Sequence, residues 1–397
     1  MTSRLNPAQL FAYPFRIFFA SVALWAVIAI PLWVFYFNGS LTLNTALSPF
    51  AWHAHEMLFG FFAVAVAGFL MTATCNWTQT PRTHGWPLFS MWLVWALGRI
   101  SMLCAAFLPY WLIALINLAF LPLIIFDIAK RVWLRRQTRQ YLLVVVISAL
   151  WLMQLGFLIT HGDMQFAFAT LVLAMAVMMI VGGRITPNFS RGWLSFQRGD
   201  ADRIEIQPWL EKSTAGSIFL VLITVLAGLI PGVESNAHYH HLLALVAVIA
   251  AAIGLLRIAL WRGWLVRREP LLWILHLSLL WIPIALLLLA AHQFGWVNAY
   301  AWVHALAVGA MAGLIIGVMT RVALGHTGRM MLLPRFMVAT YVIIHLGAIT
   351  RVAAELVPTH FLHLIYCSAI LWTLAFALFL YRYLPILLAP RADGRPG

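Results

Sequence analysis

Apolar runs of about twenty residues recur along almost the whole chain, and a helix of that length spans the hydrocarbon core of a bilayer. Such runs place spans at 15–37, 52–74, 87–107, 109–128, 141–160, 164–184, 214–231, 239–261, 270–291, 299–321, 335–356 and 361–388. The predicted fold class is therefore all-α, a polytopic membrane protein of about twelve transmembrane helices. Composition excludes a water-soluble globule. Of 397 residues, 64% are hydrophobic and 9% charged, against roughly 45–50% and about 25% in soluble domains. No stretch is polar and long enough to fold separately in water, so 1–397 reads as a single membrane domain.

The formal net charge is +14. In a soluble protein that would point to nucleic acid, but here the cations sit in short loops. Loops after even-numbered spans carry Arg82; then Lys130, Arg131, Arg135, Arg136 and Arg139; then the stretch Arg184 to Lys212; then Arg262, Arg267 and Arg268; then Arg329 and Arg335. Arg391 and Arg395 follow in the tail, and loops after odd-numbered spans have no Lys or Arg. This alternation is the positive-inside pattern, which predicts a lipid bilayer as the partner, no nucleic acid, and both termini in the cytoplasm. The polar stretch 185–213 reads as a cytoplasmic loop joining halves 1–184 and 214–397. A His-x-His opens the second span of each half, His53/His55 and His238/His240, which hints at a parallel repeat. The run Phe15 to Phe37 is too long for the core of a cleavable signal peptide. Cys75, Cys104 and Cys367 show no CxxC or CxxCH spacing, which argues against c-type haem attachment, zinc and iron–sulfur clusters.

Ionisable groups inside a bilayer mark function by default, and neutral imidazole is the commonest metal ligand. Trp52-His53-Ala54-His55-Glu56 opens the second span on the extracytoplasmic side. At about 100° per residue, His53 and Glu56 share a face and His55 points elsewhere. The two imidazoles then serve two centres, or one if the helix start unwinds. Glu56 orients a ligating imidazole or carries protons from near the outer surface. His304 lies at matching depth in the tenth span, above Gly309, Gly313 and Gly317. That small-residue face admits a neighbouring helix or a flat macrocycle. His276 and His345 are further candidates in the ninth and eleventh spans, and a bis-imidazole haem needs two such residues at matched depth. Arg99 and Arg351 lie deep and need anionic partners, either haem propionates or Glu56 and Glu355. Arg321 leads into Leu324-Gly325-His326-Thr327-Gly328-Arg329, a Gly-bracketed turn suited to an anion.

The runs Trp52-His53-Ala54-His55-Glu56-Met57-Leu58-Phe59-Gly60-Phe61 and Met319-Thr320-Arg321-Val322-Ala323-Leu324-Gly325-His326-Thr327-Gly328-Arg329 resemble the signatures of NnrS-type proteins. Gly68-Phe69-Leu70, Asn76-Trp77-Thr78, Gly182-Gly183-Arg184-Ile185-Thr186-Pro187 and Leu272-Trp273-Ile274-Leu275-His276-Leu277 fit as well. The resemblance spreads over roughly 50–330 and reaches the last two spans mainly through Arg351. It implies a bacterial inner-membrane protein with haem b and copper that acts in the nitric oxide response, often beside denitrification, and draws on an electron donor if it turns nitric oxide over. His53, His55, Glu56, Arg99, His276, His304, Arg321, His326 and Arg351 match family motif positions. His345 and His238, His240 and His241 match none. The resemblance implies metal ligation by His53, His55, His276 and His304, a catalytic role for Glu56, and cofactor contacts from Arg99, Arg321, His326, Arg329 and Arg351. A twelve-helix transporter or permease is the competing reading, with polar residues and broken helices at the midplane. A scavenger or sensor of nitric oxide is the third. The two clearest histidine sites lie near the outer surface, and most spans lack internal Gly or Pro breaks, which favours a metal-centre protein.

Overall fold

The computed structural model describes residues 5–197 and 199–395. Among these residues there is no strand, and long helices follow one another in the order α1 Pro14–Phe37, α2 Pro49–Thr78, α3 Trp86–Leu103, α4 Tyr110–Leu134, α5 Tyr141–Ile159, α6 Met164–Phe196, α7 Pro208–Ala227, α8 Ala237–Leu260, α9 Pro270–Gln293, α10 Ala299–His326, α11 Arg335–Leu356 and α12 Phe361–Leu388. Local signals set the starts. α1, α2, α7 and α9 begin with proline in the first turn, where the missing N–H costs nothing. Side chains of Ser48, Asn236, Glu269 and Asn298 cap α2, α8, α9 and α10 by accepting from N–H groups of the first turn.

Among the described residues eleven helices are long and apolar enough to cross a membrane, so the chain is an all-α multi-pass membrane protein. The count falls one short of twelve because of α3. It forms where 87–107 was expected but ends at Leu103 after 18 residues. Trp86, Trp92, Trp95 and Arg99 lower its apolarity. The expected loop 185–213 is another correction, because α6 continues to Phe196. Pro187 removes one backbone bond, yet neighbouring side chains take up carbonyls beside it. Asn188 Nδ2 donates to the Arg184 carbonyl at 2.7 Å and Ser190 Oγ to the Thr186 carbonyl at 2.8 Å. Helices are also less uniform than expected, since Pro31, Pro122, Pro187, Pro283 and Pro385 all lie inside them.

The chain forms two compact units. Unit 1 comprises Met1–Ala167, Met319–Leu332 and Trp372–Gly397, and unit 2 comprises Phe168–Val318 and Leu333–Leu371. They interleave along the sequence, unlike a division into 1–184 and 214–397. In unit 1, α1 is buried over most of its length, with Phe15, Phe18 and Phe19 in the core. The Trp372 indole donates to the Ala26 carbonyl at 3.0 Å, and Arg16 donates to the Leu387 and Ala389 carbonyls at 2.6 and 2.8 Å. In unit 2, α9 packs against α8 and α10.

Two helices change winding. α2 passes into π-helix over Glu56–Phe62 directly after His55, and α10 does so over Ala305–Ala312 directly after His304. In α2, the Ala63 N–H reaches back to the Leu58 carbonyl, the wider i→i+5 loop.

Candidate metal centre

The residues at the head of α2, where the π-helical turn begins, do not face one another as a regular helix predicts. A regular helix would group His53 with Glu56. Instead Glu56 turns back to its neighbour, with Oε1 2.9 Å from His55 Nδ1. Its other oxygen lies 2.8 Å from Arg99 Nε on α3. His55 and Glu56 are both fully buried. The carboxylate therefore lies inside the protein, out of contact with solvent. His53 packs tilted against Trp33, ring centroids 4.3 Å apart.

Arg99 carries the network on. One terminal nitrogen donates to the Phe59 carbonyl at 3.3 Å and the other to Asn117 Oδ1 on α4. Asn117 Nδ2 donates to the Ile113 carbonyl at 2.8 Å and Ser101 Oγ at 3.2 Å, while the Asn117 backbone carbonyl accepts from Gln154 on α5 at 3.2 Å. Four helices of unit 1 thus meet on one buried polar chain, and an ion pair in such a place holds only with its hydrogen bonds filled. Gly60 makes the room. A Cβ there would stand 2.9 Å from Glu56 Oε2, 3.0 Å from the Trp25 indole nitrogen and 3.1 Å from an Arg99 nitrogen. Trp95 donates to the Gly60 carbonyl at 2.9 Å.

Hydrogen-bond bookkeeping assigns the tautomers. A carboxylate only accepts, so His55 carries its proton on Nδ1 and a lone pair on Nε2. That Nε2 is buried with no hydrogen-bond partner. An imidazole oriented through Nδ1–H by a carboxylate, with Nε2 free, is the arrangement of a metal-bound histidine. Its ring is held between Phe59 and Phe157, centroids at 5.4 and 6.2 Å.

In unit 2, the Ser190 hydroxyl already donates to Thr186, so His276 Nε2 must donate to Ser190, 2.9 Å away. Its Nδ1 is left with a buried lone pair beside Gly263, where a Cβ would come within 2.8 Å. His304 Nδ1–H donates to the Tyr300 carbonyl at 2.8 Å, placing the lone pair on Nε2. His345 is different. The Trp281 indole can only donate, so His345 Nδ1 accepts at 3.1 Å and Nε2 must carry the proton. In that state His345 cannot ligate a metal through Nε2.

A family model described as NnrS protein matches residues 9–391. The chain belongs to the NnrS family. No curated protein matches it. The family match extends past the 50–330 stretch of resembling motifs into both ends.

Within this NnrS-family chain, the sequence candidates fall into separate groups. His55, Glu56 and Arg99 come together in unit 1. Arg351 pairs with Glu355 at 2.6 Å on α11. His276 stands apart with Ser190. Arg321 is half-buried near the end of α10. The turn after it meets an anion of the chain itself, because Asp393 lies against Gly328. Arg391 donates to the His326 carbonyl at 2.9 Å and the Ala392 N–H to the Thr327 carbonyl at 2.9 Å, which binds the tail to the turn. The His326 ring packs near Phe15 and Tyr13, and Arg329 donates to the Thr327 carbonyl at 3.4 Å. Burial, followed by the Arg382 charge, lowers the pKa of Arg329. Asn117 and Gly60 are network members that sequence reading passed over. A lone amide in the apolar α4 was the signal available for Asn117.

Proposed function

We propose that the chain is a haem-binding membrane protein that captures nitric oxide within the bilayer and removes it, in bacterial nitrosative stress and denitrification. Membership of the NnrS family supports this reading, and the buried Nε2 of His55 carries it. Haem bound there would supply a ferrous iron able to take an imidazole nitrogen and a diatomic gas. His55 fits as that imidazole. Glu56 accepts its Nδ1–H and makes Nε2 a stronger donor, while Arg99 balances the carboxylate. Phe59, Phe157 and Trp95 surround the pair with apolar surface that excludes water. Nitric oxide is apolar and enters such a site from the lipid. Arg351, Arg321, His326 and Arg329 are proposed as further cofactor contacts.

Copper, the other metal that the family implies, fits less well. Among the described residues no group of three His, Cys, Asp or Glu side chains is placed to hold a metal ion. The site left for copper rests on fewer imidazoles, His53 or His276, and no step is assigned to it. The proposal places the Arg-rich loops and both termini in the cytoplasm of a bacterial inner membrane. Reductive removal would draw electrons from a donor protein, with Glu56 moving protons.

An electrode measurement of nitric oxide consumption by the purified, reduced protein tests this. Sustained consumption marks an enzyme, and about one equivalent per haem marks a scavenger. A haem-loaded protein that neither consumes nitric oxide nor changes its optical spectrum on exposure would sink the proposal.

A further inference from the structure

Five arginines of unit 1 come from five separate stretches of chain and gather at one end of its helices. Arg16 lies in the first turn of α1, Arg82 in the loop between α2 and α3, Arg329 just beyond α10, Arg382 in the last two turns of α12 and Arg391 in the tail. Short contacts tie these stretches together. The Arg82 guanidinium sits over the Tyr13 ring at 4.5 Å, and the Tyr13 ring lies 5.9 Å from that of His326. Arg391 donates to the His326 carbonyl at 2.9 Å, and Arg16 to the carbonyls of Leu387 and Ala389 at 2.6 and 2.8 Å. The Gly85 N–H holds the Arg82 loop on the Phe11 carbonyl at 2.8 Å. Arg16 feels the positive charges of Arg329, Arg391 and Arg82, and Arg329 feels that of Arg382.

Such a gathering is costly, because like charges repel and partly buried ones are screened little. Among the described residues, Arg82, Arg329 and Arg382 pair with no carboxylate, and Arg391 pairs with Asp393 at 2.5 Å. Asp127 bonds the Arg82 loop through Thr83, but Arg131 takes it up with two bonds at 3.0 Å. The Nε atoms of Arg82 and Arg382 are buried and have no hydrogen-bond partner. A signal for orientation alone would leave these cations in solvent, as Arg135, Arg136, Arg267 and Arg268 are. Arg16 is instead fully buried and the other four half-buried.

We propose that this cluster is a binding site for the phosphodiester of an anionic phospholipid headgroup. Guanidinium groups bind phosphate oxygens through their planar forks. The cluster lies where apolar spans end, which is the depth of headgroups in a bilayer, and basic side chains there attract anionic lipid. Tyr381 next to Arg382, and Met330 and Leu332 after Arg329, are exposed apolar side chains. An acyl chain covers such a surface and a free anion does not. Arg82 and Arg382, whose Nε atoms are unclaimed, are the side chains offered to the headgroup. Arg16 and Arg391 are held by carbonyls and by Asp393 and supply the surrounding positive field. Arg329, already proposed as a cofactor contact, stands at the edge and is left out of the test.

Full-length protein in detergent is titrated with phosphatidylglycerol or phosphatidylcholine, and the lipid held per chain is counted by native mass spectrometry. Wild type is expected to hold phosphatidylglycerol after phosphatidylcholine has been stripped, and inorganic phosphate at equal concentration should leave it in place. Arg82→Gln/Arg382→Gln should weaken this binding about 30-fold, the effect of removing two phosphate-facing cations. Arg135→Gln/Arg136→Gln removes two exposed cations of another loop and should bind as the wild type does. Arg82→Lys/Arg382→Lys keeps the charges and should recover part of the binding, which distinguishes a lost site from a damaged fold. The inference is overturned if both lipids are held equally, if phosphate displaces the lipid, if the glutamine pair binds as the wild type does, if the loop variant loses as much, or if the lysine pair recovers nothing. Loss of haem from the glutamine pair would assign the cluster to cofactor carboxylates and overturn it as well.

Discussion

Glu56 holds two cationic or proton-donating groups at once, and neither has an obvious substitute. Replacing it by Gln leaves Arg99 buried without a counter-charge, a defect that costs about 3–5 kcal/mol when one partner of a buried pair is removed. Thermal unfolding of Glu56→Gln in detergent should show that loss, and Arg99→Met should show one of similar size. Restoration of most of the stability in the double variant Glu56→Gln/Arg99→Met would confirm that the two act as a pair. Equal and additive losses would argue against it. Where haem is bound, Glu56→Gln should also weaken retention by about 10–100-fold, the usual effect of losing a ligand's outer partner. The charge pairing could be read from sequence, since deep arginines need anions. The grouping of Glu56 with His55 could not, because α-helical periodicity assigns them to different faces and only their side-chain conformations bring Oε1 to Nδ1.

At the scale of elements, the close packing of α2 around the Glu56–Arg99 pair depends on Gly60. Val at this position puts methyl groups into Glu56, Trp25 and Arg99 at once, all closer to a bare Cβ than ordinary van der Waals contact. Gly60→Val should lose about 1–3 kcal/mol or more through overpacking, whereas Gly192→Ala, with open space around it, should be close to neutral. Comparing the two melting temperatures checks this. The tail is a second element with a clear prediction. The hydrogen bond from Arg391 holds the Asp393 carboxyl well below the usual carboxylate range. Its contribution is therefore present above the ordinary carboxylate pKa and is lost as pH falls through the lowered value. Asp393→Asn should loosen the tail at neutral pH and speed limited proteolysis after α12. The wild-type tail should resist until strongly acid pH. The helix starts were legible from proline and capping residues. The end of α6 was not, because Pro187 looks like a terminator until Asn188 and Ser190 are seen to cover the carbonyls around it.

For the whole molecule, length and apolarity of the runs were enough to give a polytopic helical protein, since lipid permits little else at that composition. α3 escaped the count of spanning helices because tryptophans and Arg99 dilute it, and two of those residues, Trp95 and Arg99, serve the buried network. The interleaved units were not legible, because three of their four borders fall inside α6, α10 and α12 rather than in polar linkers. Cysteine labelling from the two sides of the membrane tests the proposed orientation. Cysteines placed at residues 136 and 268 should react only from the cytoplasm, and one placed at residue 43 only from outside. The central claim is that His55 Nε2 binds a metal whose imidazole Glu56 orients. The most direct test is the haem and metal content of purified wild type against His55→Ala. The account predicts a haem-loaded wild type and loss of that component in the variant with its helical fold intact. Full retention of haem by His55→Ala would contradict it.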